Sequence, residues 1–283
     1  NTIKLTSRCS NNGDPVPQSL TPVDGGLLMR LNDCIYGHKW WRTDGTVAGT
    51  ARLDPSYNPV TTQHGDVSPT QNGGKYYFTA VTPELGNELW VTDGSPSGTR
   101  VVKDINTGNE SSSPISFVNV GNKHFYFAND GVHGQELWVS DGTSARTNLV
   151  SDITTGSANT TFGSFSTTGT RVWFNATTTA NGQELWSSDG TAAGTTMVKD
   201  INPGATGSSV RFLGSLGNNL MFTATDGVNG QELWTSDGTS AGTSMIADIN
   251  PGSADGVTTF SPGATLGGVF YFPANNGTNG NEL

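Results

Sequence analysis

Short apolar or aromatic runs alternate with polar turns along the whole chain. The most regular runs are Leu27-Leu28-Met29, Tyr76-Tyr77-Phe78, Phe125-Tyr126-Phe127, Val172-Trp173-Phe174, Leu220-Met221-Phe222 and Phe270-Tyr271-Phe272. Runs this short, bounded by Gly and Asn, suit strands buried on both faces better than helices. Each is followed by a turn such as Asp226-Gly227-Val228-Asn229-Gly230 and then by a second strand such as Glu232-Leu233-Trp234. A Ser236-Asp237-Gly238-Thr239 corner comes next, where Asp bonds its own turn amides and Gly supplies φ > 0. A third strand, Thr243 to Ile249, ends at Asn250-Pro251-Gly252, since proline cannot continue a ladder. The fourth strand varies most: Ile115 to Val120, Thr161 to Ser166, Ser209 to Gly214 and Thr258 to Ser261.

The pattern repeats. Its fullest copy is Gln231 to Ser253, and its tryptophans stand at 41, 90, 138, 186 and 234, steps of 49, 48, 48 and 48 residues. Four antiparallel strands per period of about 48 residues predict an all-β, six-bladed β-propeller of four-stranded blades forming a single domain over 1–283. A β-solenoid needs much shorter periods, and helical repeats need a 3.6-residue periodicity that is absent. Leu5 precedes Trp41 by 36 residues, as Val198 precedes Trp234, so the chain begins in a third strand and ends, at Asn281-Glu282-Leu283, in a second. The expectation is a last blade shared between the termini, which leaves no unpaired sheet in the ring. A longer array of which this is a segment is the alternative.

Strand alternation puts Glu232, Trp234 and Ser236 on one face and Leu233 and Thr235 on the other. The repeated tryptophan reads as an apolar wedge between blades rather than a sugar-stacking platform. Its companion glutamate is then buried, which is costly unless it is hydrogen-bonded, and the expected donors are amides or hydroxyls of an adjacent blade. The corner aspartates Asp44, Asp93, Asp141, Asp189 and Asp237 read as turn caps.

Glu88-Leu89-Trp90, Glu136-Leu137-Trp138, Glu184-Leu185-Trp186 and Glu232-Leu233-Trp234, each with its Asp-Gly corner, resemble the ELWxxDGT-repeat family of secreted bacterial proteins. The resemblance covers essentially the whole chain. It implies a propeller-like architecture and an exported or surface location more than any activity. The first unit departs from it, with Lys39 and Trp40 in place of Glu and Leu.

Composition narrows the function classes. A net charge of −10 without any Lys/Arg cluster argues against nucleic acid or an anionic membrane as partner. No stretch reaches the roughly 18 apolar residues of a membrane span. Asn1 is not Met, which suggests a processed or trimmed chain. Cys9 and Cys34, in a Thr/Ser/Gly/Asn-rich chain, are expected to form one disulfide of a secreted protein. Sequons at Asn109, Asn159, Asn175 and Asn276 agree with export.

Candidate chemistry is sparse. Asp130 and Asp226 precede Glu136 and Glu232 by six residues, and such oxygen-rich turns are the weak candidates for Ca²⁺; no other cofactor is expected. The histidines His38, His64, His124 and His133 lack any zinc spacing. No nucleophile–base constellation stands out, so no enzyme is expected, a glycan-active hydrolase being the third reading after binding and structural roles. What remains is recognition. The Asp-Gly-x-x-Gly and Asn-Pro-Gly turns leave the sheets on one side and there present Asp130, Asn202, Asp226, Asn229 and Asn250, short groups suited to sugar hydroxyls. A ring of equal weak sites gains strength on multivalent glycans. The plainer reading, that these residues only make turns, stands beside it. In the divergent first unit Trp40 and Arg42 form a separate candidate, and relaxed constraint on that unit is the alternative. The chain therefore reads as a secreted, lectin-like propeller recognising glycans or cell-surface and matrix components. A structural or adhesion module with self-association is the competitor.

Overall fold

The computed structural model describes residues 18–32, 38–53, 70–258 and 261–283. Among these residues, apart from one 3₁₀ turn, Ser144–Arg146, all regular structure is β. Five four-stranded antiparallel sheets follow one another in sequence order. The first contains Gln18–Val23, Gly26–Asn32, His38–Thr43 and Ala51–Arg52. The second contains Thr70–Asn72, Lys75–Thr82, Gly86–Thr92 and Arg100–Val101; the third, Ile115–Val120, Lys123–Asn129, Gln135–Ser140 and Asn148–Ser151. Thr161–Thr168, Arg171–Thr178, Gly182–Ser188 and Thr196–Lys199 make the fourth, and Arg211–Leu216, Asn219–Ala224, Glu232–Ser236 and Ser244–Ala247 the fifth. Two short pairs follow, Ala264–Leu266 with Val269–Tyr271 and Ala274–Asn275 with Asn281–Glu282.

The strands and their repeat are as the sequence predicts, but their grouping differs. The variable strand pairs with the aromatic strand that follows it, Val118 with Phe125 and Phe165 with Phe174, and so belongs to the next sheet. Loop length explains this. Only Gly121 and Asn122 separate Ile115–Val120 from Lys123–Asn129, and Gly121 at φ 58° takes the left-handed conformation of a tight hairpin, whereas a long segment runs back to Arg100–Val101. The predicted strand from Thr258 to Ser261 lies partly outside the described residues; the strand described after it is Ala264–Leu266, beyond Pro262, which has no N–H for a ladder. Cys9 and Cys34, with His64, lie outside the described residues.

The chain divides into two compact units, 1–132 with 139–148 and 133–138 with 149–283. In the first, Leu28 and Trp40 of the first sheet pack against Tyr76, Phe78 and Trp90 of the second. In the second, Trp173 and Leu185 of the fourth sheet pack against Leu220, Phe222 and Trp234 of the fifth. Each repeated tryptophan named here is therefore a wedge between neighbouring sheets, Trp90 being 5 % and Trp234 6 % exposed. Leu233, on the opposite strand face, packs with Met221 and meets Phe270 of the penultimate pair and Phe272 just after it. Burial on both faces explains why these strands read as continuous apolar runs.

Candidate functional site

Two devices recur along the chain, one in all five four-stranded sheets and the other in the last four of them. The first is the corner. In the second sheet Asp93 Oδ1 accepts from Ser95 N (2.8 Å) and Ser95 Oγ (2.7 Å), while Gly94 N donates to Thr92 Oγ1 and Gly98 N to Ser95 Oγ. Thr92 and Thr99 hydroxyls close the hairpin at 2.7 Å. The hydroxyl of residue 46, 95, 143 or 239 is the main cause holding Asp44, Asp93, Asp141 and Asp237 below the usual carboxylate range. The same bonds satisfy the corner amides, so this aspartate is a turn cap, as expected.

The second device is a buried latch. Glu88, Glu136, Glu184 and Glu232 are all 0 % exposed. Glu88 accepts from Ile105 N (3.2 Å), Ser112 N (3.0 Å) and Ser112 Oγ (2.5 Å). Glu136 accepts from Ile153 N, Thr154 N and Thr160 Oγ1, and Glu184 from Ile201 N, Asn202 N and Ser208 Oγ. Glu232 accepts from Ile249 N and Gly256 N, both at 2.8 Å. The donors are amides and hydroxyls, as the sequence suggested, but they lie in the segment leaving each sheet for the next. Burial raises all four carboxyls against the pull of these bonds, Glu136 to about 7.

The latch fixes four crossover loops, 104–112, 152–160, 200–208 and 248–256, whose tips are small, polar and exposed. Inside them Asn106, Asn202 and Asn250 donate Nδ2 to the carbonyl five residues on, of Ser111, Gly207 and Asp255. Their Oδ1 atoms abut the turn of the following sheet, where a Cβ on Gly131, Gly227 or Gly277 would lie only 2.5–2.6 Å away. Crossover loop and next turn are therefore one interlocked surface on the side the sequence assigned to it.

Against this surface the predicted ligand residues sort clearly. Asn202 and Asn250 build the loops, and Asn202 is 9 % exposed. Asp226 caps its own turn, accepting from Val228 N, Asn229 N and Asn229 Nδ2. Desolvation pushes its carboxyl up, but these donors outweigh it and the net shift is downward. Asp130 accepts from Val132 N in the equivalent turn. Trp40 is 4 % exposed and lies 5.5 Å from Phe78, so its ring offers no platform at the surface. Arg42, on the same strand face, donates to Asp24 O and Gly25 O. Structure brings Asn202 to the Asp226–Gly230 turn and places Trp40 and Arg42 at the packing between the first and second sheets.

Of the weak calcium candidates, Glu136 and Glu232 spend their oxygens on the latch and Asp226 on its turn. Among the described residues no group of three or more His, Cys, Asp or Glu side chains converges. The sequence reading passed over Asp104, Asp152 and Asp200, each one residue before the isoleucine that bonds the latch. Their Oδ2 atoms accept from Gly108 N, Gly156 N and Asn181 Nδ2, and each Oδ1 is buried without a hydrogen-bond partner. Repetition of Asp-Ile in front of each loop was the available signal. Of the sequons, Asn175 is 6 % exposed and donates to Val210 O, while Asn109 lies on an exposed loop tip.

No protein-family model and no curated protein sequence matches the chain. Similar solved structures include a puromycin hydrolase mutant, at 12 % identity and a TM-score of 0.47 over 86 % of this chain and 39 % of that one. A puromycin-hydrolysing peptidase of Mycobacterium tuberculosis has 11 % identity and a TM-score of 0.46 over 87 % of this chain and 38 % of its own. The computationally designed Ika8 protein has 14 % identity and a TM-score of 0.42 over 91 % and 67 %. The chain spans about two fifths of the length of the two hydrolytic proteins. The expectation that the chain is no enzyme is withdrawn on this finding, since two of these similar structures are hydrolases. At such identity and coverage the likeness assigns no activity to this chain either.

Proposed function

We propose that the protein is an exported binding module whose ligand face is the set of latched crossover loops and the turns interlocked with them, and whose ligand is a polysaccharide. The observation that carries this is the latch: a fully buried glutamate in each of four repeats holds a loop whose tip of small residues is exposed. Rigid presentation of small polar groups lowers the entropy cost of binding a polyhydroxylated ligand. Repetition at a fixed spacing suits a polymer. The 48-residue period and the register of residues 2–5 support closure of the repeats as a six-bladed propeller, with the last blade shared between the termini. Solution scattering with a radius of gyration of about 19 Å supports closure, and a much larger value rejects it.

A glycan array with purified protein tests the ligand class. Expected is binding to one family of polysaccharides, lost in the loop-tip variants Thr107→Trp and Thr206→Trp while the unfolding midpoint stays unchanged. Absence of binding to every glycan, with concentration-dependent self-association, transfers the role to a structural or adhesion module. One observation favours that second reading: Leu266, Val269 and Tyr271 in the last strand pairs are 73, 52 and 40 % exposed, an apolar surface suited to protein contact.

A further inference from the structure

Asn-Gly dipeptides occur among the described residues at 72–73, 181–182, 229–230, 276–277 and 279–280. As sequence they are equivalent: glycine offers no side chain to hinder attack of its nitrogen on the preceding Asn carboxamide. As structure they differ. Asn72 donates Nδ2 to Lys123 O (3.3 Å), and Asn181 donates to Asp200 Oδ2 (2.8 Å) with Gly182 packed against Gly207. Asn229 donates to Asp226 Oδ2 (2.9 Å), and Gly230 N, the atom that would attack, donates to Gly252 O (3.1 Å). Asn276 Oδ1 accepts from Thr278 N and Asn279 N, and Gly277 N donates to Asn275 Oδ1. Asn279 and Gly280 are both exposed; among the described residues the Asn279 carboxamide and Gly280 N–H have no hydrogen-bond partner, and a Cβ added at Gly280 would meet nothing within 4 Å.

We propose that Asn279 is a site of spontaneous succinimide formation, converting on ageing to aspartate and isoaspartate, while the other four described Asn-Gly pairs are protected by the fold. Gly280 N loses its proton and attacks Asn279 Cγ; the carboxamide nitrogen takes up a proton and leaves as ammonia, closing a five-membered imide. Water then opens the ring. Attack at Cγ returns the normal backbone with an aspartate side chain. Attack at the Asn279 main-chain carbonyl carbon gives isoaspartate, with the side-chain methylene now in the main chain. No oxidant or reductant is involved. Either product adds a negative charge at this turn. Isoaspartate also lengthens the backbone two residues before Asn281, which pairs with Asn275, so that two-residue ladder is expected to open in the aged chain.

The experiment is peptide mapping by mass spectrometry of the 283-residue chain held in mildly alkaline buffer at physiological temperature, with fragmentation that separates aspartate from isoaspartate. A parallel sample is kept in urea. Expected is conversion at Asn279 at least an order of magnitude faster than at Asn72, Asn181, Asn229 and Asn276 in the folded chain, because those sites react only through local opening. In urea the spread should collapse, since sequence alone then sets the rates. The Asn279→Ala variant should lack the fast phase and leave the other rates unaltered. Similar rates at all five sites in the folded chain, or another asparagine leading, would overturn the proposal; so would a native rank order that persists in urea.

Discussion

The first and second sheets, both in one unit, share one repeated device and differ in the other. Their corners are nearly identical. Asp44 Oδ1 accepts from Thr46 N and Oγ1 as Asp93 Oδ1 does from Ser95, and Thr43 meets Thr50 at 2.7 Å as Thr92 meets Thr99. At the latch position the second sheet has Glu88, fully buried and triply bonded, where the first has Lys39, 4 % exposed and of opposite charge. The next position is Leu89 in one and Trp40 in the other, and both are buried. The corner closes within eight residues and needs only its own hydroxyls, so it persists in a unit whose latch has changed. A latch depends on donors far along the chain and must change together with them.

Breaking the latch should have the largest effect. Glu88→Ala removes the acceptor for two amides and a hydroxyl, and is expected to cost about 3–5 kcal/mol in denaturant unfolding. Glu88→Gln keeps shape and one acceptor oxygen and should lose clearly less. Equal losses would mean that volume, not hydrogen bonding, is what this side chain provides. Trp40→Ala, in the sheet without the glutamate, should cost about 3–4 kcal/mol through the cavity it leaves against Phe78. A near-neutral result would show that the first sheet is not packed on the second as described.

The latch also has a pH signature that the corner lacks. Glu136 has its folded pKa raised from 4.5 to about 7 by burial, with Thr160, Ile153 and Thr154 opposing. A raised folded pKa stabilises below the unfolded value and loses that contribution as pH rises through the folded one. Melting temperature should therefore fall between about pH 4.5 and 7 through this group, and Glu136→Gln should flatten that slope. Corner aspartates have depressed values and contribute in the opposite sense, losing stability only in acid. An Asp237→Asn variant that removed the neutral-range slope would mean the assignment is reversed.

How much of this was legible in the sequence follows the same division. Corners, hairpins and strands were readable because Asp-Gly-Thr, Gly-Asn and apolar alternation act over a few residues. The wedge role of tryptophan was readable from its period. The latch partners were not, since Glu88 bonds residues 17 and 24 positions away and nothing in Ile105 or Ser112 marks a donor. Nor was the assignment of the variable strand to its sheet, which depends on comparing a tight hairpin with a long crossover. Trp40 and Arg42 invited a surface site because a cation and an aromatic side by side look accessible, but strand pairing turns both toward the second sheet.

The smallest expected effect lies at the corner, and the protein contains its own control. Gly98, Gly194 and Gly242 stand where a Cβ would overlap the carboxylate of Asp93, Asp189 or Asp237. The third sheet has Arg146 at that place. There the turn tightens into the 3₁₀ segment Ser144–Arg146, and the arginine reaches Asp141 Oδ2 at 3.4 Å. A side chain at this site is thus accommodated by a change of turn type, not by breaking the corner. Gly194→Ala should cost only about 1 kcal/mol. Gly182→Ala, whose Cβ would overlap the main chain of Gly207 at φ 63°, should cost about 3 kcal/mol because backbone held by the Glu184 latch cannot give way. Equal costs at the two positions would show that the crossover loop yields as readily as the corner, and the contrast between a local cap and a long-range latch would fail.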